Sequence, residues 1–190
     1  AFAPELFYAC FYLLSCLAYL RSAHSTRWYV VSILSFVLAL MSKEAAVTLP
    51  ANIILLTIFF SAGRNKWHLL PFFGIFALYY LYIVRFLKVG AGDYVVAFHK
   101  EVFTRFQDSF FWAFDLARGG WRYAVVFAAI VVVAYAIASL FGPRRQCTLF
   151  GICWFVVALS PMLGIIGYFG PYYLFLPLAG IALIVGEFFG

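Results

Sequence analysis

Charge is scarce in this chain. Asp, Glu, Lys and Arg make up 11% of its 190 residues, against about 25% in an ordinary soluble domain. With 67% hydrophobic residues and a mean hydropathy of +1.03, that scarcity excludes a charge-coated soluble globule. Acidic residues are scarcer still, seven against thirteen Lys and Arg. The resulting +6 sits in short turns and not in a basic groove interleaved with aromatics, so nucleic acid is not a partner of this chain. The four cysteines are spaced Cys10/Cys16 and Cys147/Cys153. A separation of six fits neither a CxxC redox pair nor common zinc spacing, which leaves them as small apolar filler. GxSxG, HExxH, Walker and GxGxxG patterns are missing as well, so the chemistry of soluble enzymes is not signalled.

What the chain does have is long apolar runs. Separated at charges and turn residues, they form seven segments: Glu5–Leu20, Trp28–Met41, Ala46–Phe60, His68–Leu87, Trp121–Phe141, Thr148–Ile166 and Tyr172–Phe189. The expected fold is therefore all-α, a polytopic transmembrane helix bundle of about seven membrane segments plus one external interfacial helix. Residues 1–190 read as a single transmembrane domain fragment, because Ala1 and Gly190 adjoin apolar runs as if cut from a longer protein. Alternate short turns carry Arg21 and Arg27, then Arg64 and Lys66, then Arg144 and Arg145, with no acid among them. The positive-inside rule makes these turns cytoplasmic and places their basic groups against anionic lipid headgroups. The opposite, external side receives Glu5, Lys43, Glu44, the stretch from Lys88 to Arg122 and the Gly167–Pro171 turn.

Within that frame, Met41-Ser42-Lys43-Glu44 stands out as an adjacent cation and anion between two apolar stretches. The flanking helices have about 13 to 16 residues. At roughly 1.5 Å per residue, neither comfortably crosses a hydrocarbon core of about 30 Å, so the hairpin tip lies at or below the membrane surface. Ionisable groups at such depth are costly unless paired or facing a water-filled cavity, which makes a polar site the expectation. Pro50 and Asn52 follow closely, and either kink the next helix toward that cavity or simply begin it.

The external stretch is the second informative region. Val95, Phe98, Val102, Phe106, Phe110 and Phe114 recur at intervals of three and four, with Lys100, Glu101, Thr104, Arg105, Gln107 and Asp108 between them. This is the pattern of an amphipathic helix lying in the interface. It serves either as a plain connector or as a lid hinged at Gly90-Ala91-Gly92 and Gly119-Gly120. His99 and Asp93 are weaker candidates, since a surface histidine and an N-cap aspartate account for them equally well. Arg85, Lys88 and Arg122 share the external side with Lys43. Clustered, these cations would hold an anion such as a lipid phosphate; apart, the first three would snorkel to the interface.

These residues resemble a known family. Leu38-Ala39-Leu40-Met41-Ser42-Lys43-Glu44-Ala45-Ala46-Val47-Thr48-Leu49-Pro50 is similar to the LxSKExAVTLP signature of polytopic C-type glycosyltransferases (the GT-C fold). The nearest group is the protein O-mannosyltransferase-like enzymes with tetratricopeptide repeats. Phe11 to Arg21 is similar to the family's helix ending in LAYLR. Trp154 to Pro161 and Tyr173 to Gly180 resemble its WFLLALLP and RYLYLPLAG segments. The likeness covers nearly the whole chain in order, although from Val89 to Leu140 it is one of character only.

The resemblance implies a multi-pass membrane hexosyltransferase of the bacterial inner membrane or, in a eukaryote, the endoplasmic reticulum. Such an enzyme moves a mannose-like sugar from a polyprenyl-phosphate carrier to a protein or glycan hydroxyl on the external or lumenal face. Lys43 would sit near the carrier phosphate, with Glu44 orienting it or the acceptor; Arg85, Lys88 and Arg122, if clustered with Lys43, and Tyr172 are the further candidates for carrier-phosphate or substrate contact. The family's catalytic acid lies in the first external loop, upstream of this chain, and its soluble repeats lie downstream. The fragment alone is therefore expected to be inactive. The family's arginine before YLYLP aligns with Tyr172 and its acidic neighbour with Pro171, so one phosphate contact is missing or moved. No cofactor is signalled beyond the lipid-linked donor, and a divalent metal is compatible with such a reaction.

Two other classes fit the composition. A transporter or flippase of an amphiphilic anion also needs intramembrane charge, broken helices and a gate. A noncatalytic scaffold would need Lys43 and Glu44 only to pair with each other. The topology is checked by placing a cysteine at Ser42 in a background lacking the native four. It should react with an impermeant thiol reagent from outside, and labelling only from the cytoplasm would reverse the orientation.

Overall fold

The structure, a computed structural model, describes residues 3–23, 25–60, 66–86, 95–96, 145–163, 165–166 and 171–189. These residues are almost wholly helical. Six α-helices follow in order: α1 Ala3–Arg21, α2 Thr26–Ser42, α3 Leu49–Phe60, α4 Leu70–Phe86, α5 Arg145–Leu163 and α6 Phe175–Phe189. Short 3-10 turns, Glu44–Thr48, Lys66–Leu69 and Pro171–Leu174, lead into α3, α4 and α6. Six of the seven expected apolar segments fall on these helices. The seventh, Trp121–Phe141, the interfacial stretch apart from Val95–Val96, both proposed glycine hinges, Lys88 and Arg122 lie outside the described residues.

Seven membrane spans are more than these helices display. One stretch among the described residues, Lys66–Arg85, is long and apolar enough to cross a membrane, with 20 residues and a hydropathy of 1.6. Four further apolar helices are shorter, at 10–17 residues. The shortening has a local cause at Lys43, where extended backbone (φ −161°, ψ 140°) ends α2 before the next turn begins. Ser42 assists the break, because its hydroxyl donates back to the Leu38 carbonyl at 2.8 Å and so competes with helix continuation. Pro50 is the second residue of α3, where its missing N–H is no loss.

Helices α1 and α2 form an antiparallel hairpin tied along its length by three side-chain contacts. Glu5 pairs with Lys43 at one end, and Arg21 lies 5.2 Å over the Trp28 ring at the other. Midway, Ser15 and Ser32, both fully buried, each donate a hydroxyl to the other's carbonyl at 2.8 Å. The second helix pair, α5 with α6, closes on glycine. A Cβ built on Gly151 would come within 2.6 Å of the Gly180 carbonyl oxygen, so the two backbones meet where neither residue has a side chain. That approach lets the Trp154 indole N–H donate to the Leu176 carbonyl at 3.0 Å.

The core between the pairs is aromatic. Tyr12 packs edge-on against Trp154 at 5.8 Å, Trp154 against Phe150, and Phe150 against Phe60 at 4.9 Å, which links α1, α5 and α3. Phe72 of α4 meets Tyr19, Tyr29 and Phe36 of the hairpin. Polar side chains share the interior, and large aliphatic ones also lie outside. Ser15, Ser32, Ser35, Thr48, Asn52 and Thr148 are buried, while Leu34, Ile58, Leu78 and Leu81 stand 58–69% exposed. A two-residue antiparallel pairing, β1 Val95–Val96 with β2 Ile165–Ile166, joins the stretch after α4 to the one before α6. All four cysteines are free, in keeping with their reading as filler.

The glycine contact yields a paired prediction. Gly151→Ala should force α5 and α6 apart, lowering stability by about 1–3 kcal/mol, as overpacking does. Gly74→Ala on α4 meets nothing within 4 Å and should raise stability by up to about 1 kcal/mol through helix propensity. Thermal unfolding in detergent reads both, and equal responses would show that the close approach does not constrain the helices.

Candidate functional site

The site is built around the break at Lys43. Extended backbone there takes the residue out of both flanking helical registers, yet leaves its polar backbone satisfied. Its N–H donates to the Ala39 carbonyl at 3.0 Å, and its carbonyl accepts from the Ala46 N–H at 3.1 Å. Ala45 and Ala46 are buried next to it, small enough for the turn to lie close against the bundle. The Lys43 side chain is thereby carried inward, to 9% exposure, while Glu44, the next residue, is exposed. The two adjacent side chains thus sit in different surroundings, one buried and one exposed.

The ammonium finds its anion on another helix. Lys43 Nζ donates to Glu5 Oε1 in a buried ion pair, the one salt bridge among the described residues. The same nitrogen lies 3.9 Å from the centroid of the Tyr173 ring, a cation–π contact contributed by the 3-10 turn before α6. Glu5 occupies the first turn of α1, where the helix dipole favours a carboxylate. Three separate parts of the chain thus converge on one cation. All three belong to the side read as external from the basic turns.

Below the ion pair lies a polar column. Tyr8 is buried one turn along α1 and packs edge-on against Tyr12 at 5.7 Å. The Tyr12 hydroxyl accepts from Asn52 Nδ2 at 2.7 Å and lies 3.0 Å from Thr48 Oγ1, which donates to the Ala45 carbonyl at 3.1 Å. Asn52 Oδ1, fully buried, has no hydrogen-bond partner among the described residues. The column fastens α1 to the SKE turn and to α3, so the break that presents Lys43 is held from beneath as well as by its own backbone bonds.

Of the residues expected at the site, Lys43 is buried at its centre and Glu44, beside it, is exposed. Arg85 is exposed in the last turn of α4. Tyr172 lies in the same 3-10 turn as Tyr173, whose ring meets the ammonium. Lys88 and Arg122 lie outside the described residues, as do His99 and Asp93. Sequence reasoning passed over Glu5, Tyr8, Tyr12 and Tyr173. For the first three a signal existed: Glu5, Tyr8, Tyr12, Ser15 and Tyr19 recur at intervals of three and four, a polar stripe on one face of an apolar helix. For Tyr173 the sequence held no comparable pattern.

Among the described residues no group of three or more His, Cys, Asp or Glu is arranged to hold a metal ion. What the arrangement offers chemically is one buried cation with an aromatic face and a carboxylate partner. No family model, curated protein or solved structure matches the chain.

The column can be probed at its centre. Tyr12→Phe removes the hydroxyl that joins Asn52 to Thr48 and strands the Asn52 amide in the core. It should lower stability by about 1–3 kcal/mol, the cost of an unsatisfied buried polar group. A thermal midpoint in detergent equal to that of the parent would show that the column does not brace the turn.

Proposed function

We propose that this chain is the membrane part of a glycosyltransferase that moves a mannose-like hexose from a polyprenyl-phosphate carrier to a hydroxyl of a protein or glycan. The reaction takes place on the external or lumenal face. The observation that carries this reading is the buried ammonium of Lys43, presented from a helix break in an otherwise apolar bundle. An ionisable group in such surroundings is retained for a task, because a leucine would pack there without the cost of desolvation. The outward aliphatic side chains and inward serines, threonines and asparagine support a multi-pass membrane setting. The SKE signature, now located on that break, supports the family reading.

In this mechanism the scissile bond joins the sugar's anomeric carbon to a phosphate oxygen of the carrier. As it breaks, negative charge grows on the departing phosphate, and Lys43 stabilises that charge where little water competes. The acceptor hydroxyl attacks the anomeric carbon and passes its proton to a base, which is not assigned to a residue of this chain. Tyr173 flanks the ammonium with an apolar face suited to the first isoprene unit of the carrier. Lipid, the lipid-linked donor and the acceptor are the partners this scheme needs.

The test uses the full-length parent and a radiolabelled polyprenyl-phosphate sugar. Lys43→Met alone would strand the Glu5 carboxylate in the bundle, so the variant of choice is Lys43→Met with Glu5→Gln, which keeps the site neutral. Transfer should fall about 100-fold or more, equivalent to a few kcal/mol of lost charge stabilisation. Near-normal transfer by the folded double variant would remove Lys43 from the site. A folded parent that transfers from no donor but moves the lipid-linked sugar across vesicles would make the protein a flippase.

A further inference from the structure

We propose that Glu5 is a built-in competitor for the anion site: its carboxylate occupies Lys43 while the site is empty and is displaced by the phosphate of the polyprenyl carrier. This rests on the phosphate-binding reading of Lys43 given above. It starts from the fact that Lys43 is already neutralised. Glu5 and Lys43 side chains are 10% and 8% exposed and bonded to each other, so the pair as it stands carries no net charge toward an incoming anion.

Electrostatics then decides the order of events. A phosphodiester carries one negative charge, as Glu5 does. Lys43 is the one buried cation among the described residues, so a phosphodiester that joined the pair without displacing Glu5 would set two anions against that ammonium and leave a buried charge uncompensated. Exchange keeps the balance: one cation and one anion before, one cation and one anion after. The displaced carboxylate has somewhere to go, since Glu5 sits in the first turn of α1, where unpaired backbone N–H groups and the helix dipole favour it. Lys43 itself stays anchored, because its backbone bonds to Ala39 and Ala46 do not involve the side chain.

The consequence is opposite in sign to that of an ordinary supporting residue. A carboxylate that merely positions Lys43 would weaken phosphate binding when removed. A competitor strengthens it, because apparent affinity is reduced by the fraction of sites already occupied. Glu5 is thus a positioning residue with a gating role, which gives the empty enzyme a closed, neutral site and makes carrier phosphate the agent that opens it.

The experiment measures binding of a polyprenyl monophosphate to the full-length protein in nanodiscs, for the parent, Glu5→Gln, and Glu5→Gln with Lys43→Met. Glu5→Gln should bind at least about tenfold tighter than the parent, and the double variant should lose that gain. Weaker or unchanged binding by Glu5→Gln, with dependence on Lys43 retained, overturns the competition and leaves the phosphate reading intact. Binding that ignores Lys43 overturns both. Inorganic phosphate at the same concentration serves as the second arm, and an equal gain there overturns the lipid carrier as the source of the phosphate. Should Glu5→Gln fail to fold, the parent alone suffices. Labelling of Glu5 by a hydrophobic carbodiimide, read by peptide mass spectrometry, should rise when polyprenyl phosphate is added, and constant or reduced labelling overturns the proposal.

Discussion

A lysine ammonium cannot rest uncompensated inside an apolar helical bundle, and the described part of this protein is arranged around that constraint. Removing such a charge from water costs several kcal/mol even after relaxation, so it must be matched by an anion and by hydrogen bonds. Glu5 supplies the anion and Tyr173 an aromatic face. Because Glu5 begins α1 and Lys43 ends α2, the pair also closes the far end of the hairpin. The same contact that neutralises the charge therefore sets how the first two helices align.

The remaining polar groups follow a related rule. In surroundings without water each donor and acceptor has to be met inside the protein, and the serine pair Ser15/Ser32, the Tyr12–Asn52–Thr48 column and the Trp154 indole bond are three ways of meeting it. They also divide the labour of assembly. Serines fix the α1–α2 register, the column ties that hairpin to α3, and the glycine approach with the indole bond joins α5 to α6. Hydrophobic side chains fill the space between, yet many of the largest remain on the outside. Under the proposed reading they face lipid, which is as apolar as they are and offers no drive to bury them. Packing and hydrogen bonds must then hold the helices together.

The apolar segments were legible because composition and periodicity suffice for them: six of seven correspond to helices, and the turns carrying Arg21 and Arg27 lie at the opposite end of the hairpin from Glu5 and Lys43. The importance of Lys43 was legible because a charge between two apolar runs demands a reason. Its partner was not. Glu44 is adjacent and opposite in sign, but it is exposed, whereas Glu5 is 38 positions away in sequence. Among the described residues the expected spans are less uniform than hydropathy suggested, since the break at Lys43 separates α2 from α3 and 3-10 turns precede α3, α4 and α6.

Local chemistry, then, is what the sequence by itself determined: apolar helices, the polarity of their turns, and a break where Ser42, Lys43 and Glu44 meet. These are short-range properties, decided by each residue's own hydropathy and by hydrogen bonds to near neighbours. Only the tertiary structure decided which anion answers Lys43 and which tyrosine covers it. Those choices depend on α1 lying antiparallel to α2 and on the turn before α6 folding back over both, and no spacing along the chain encodes a distance that packing alone creates.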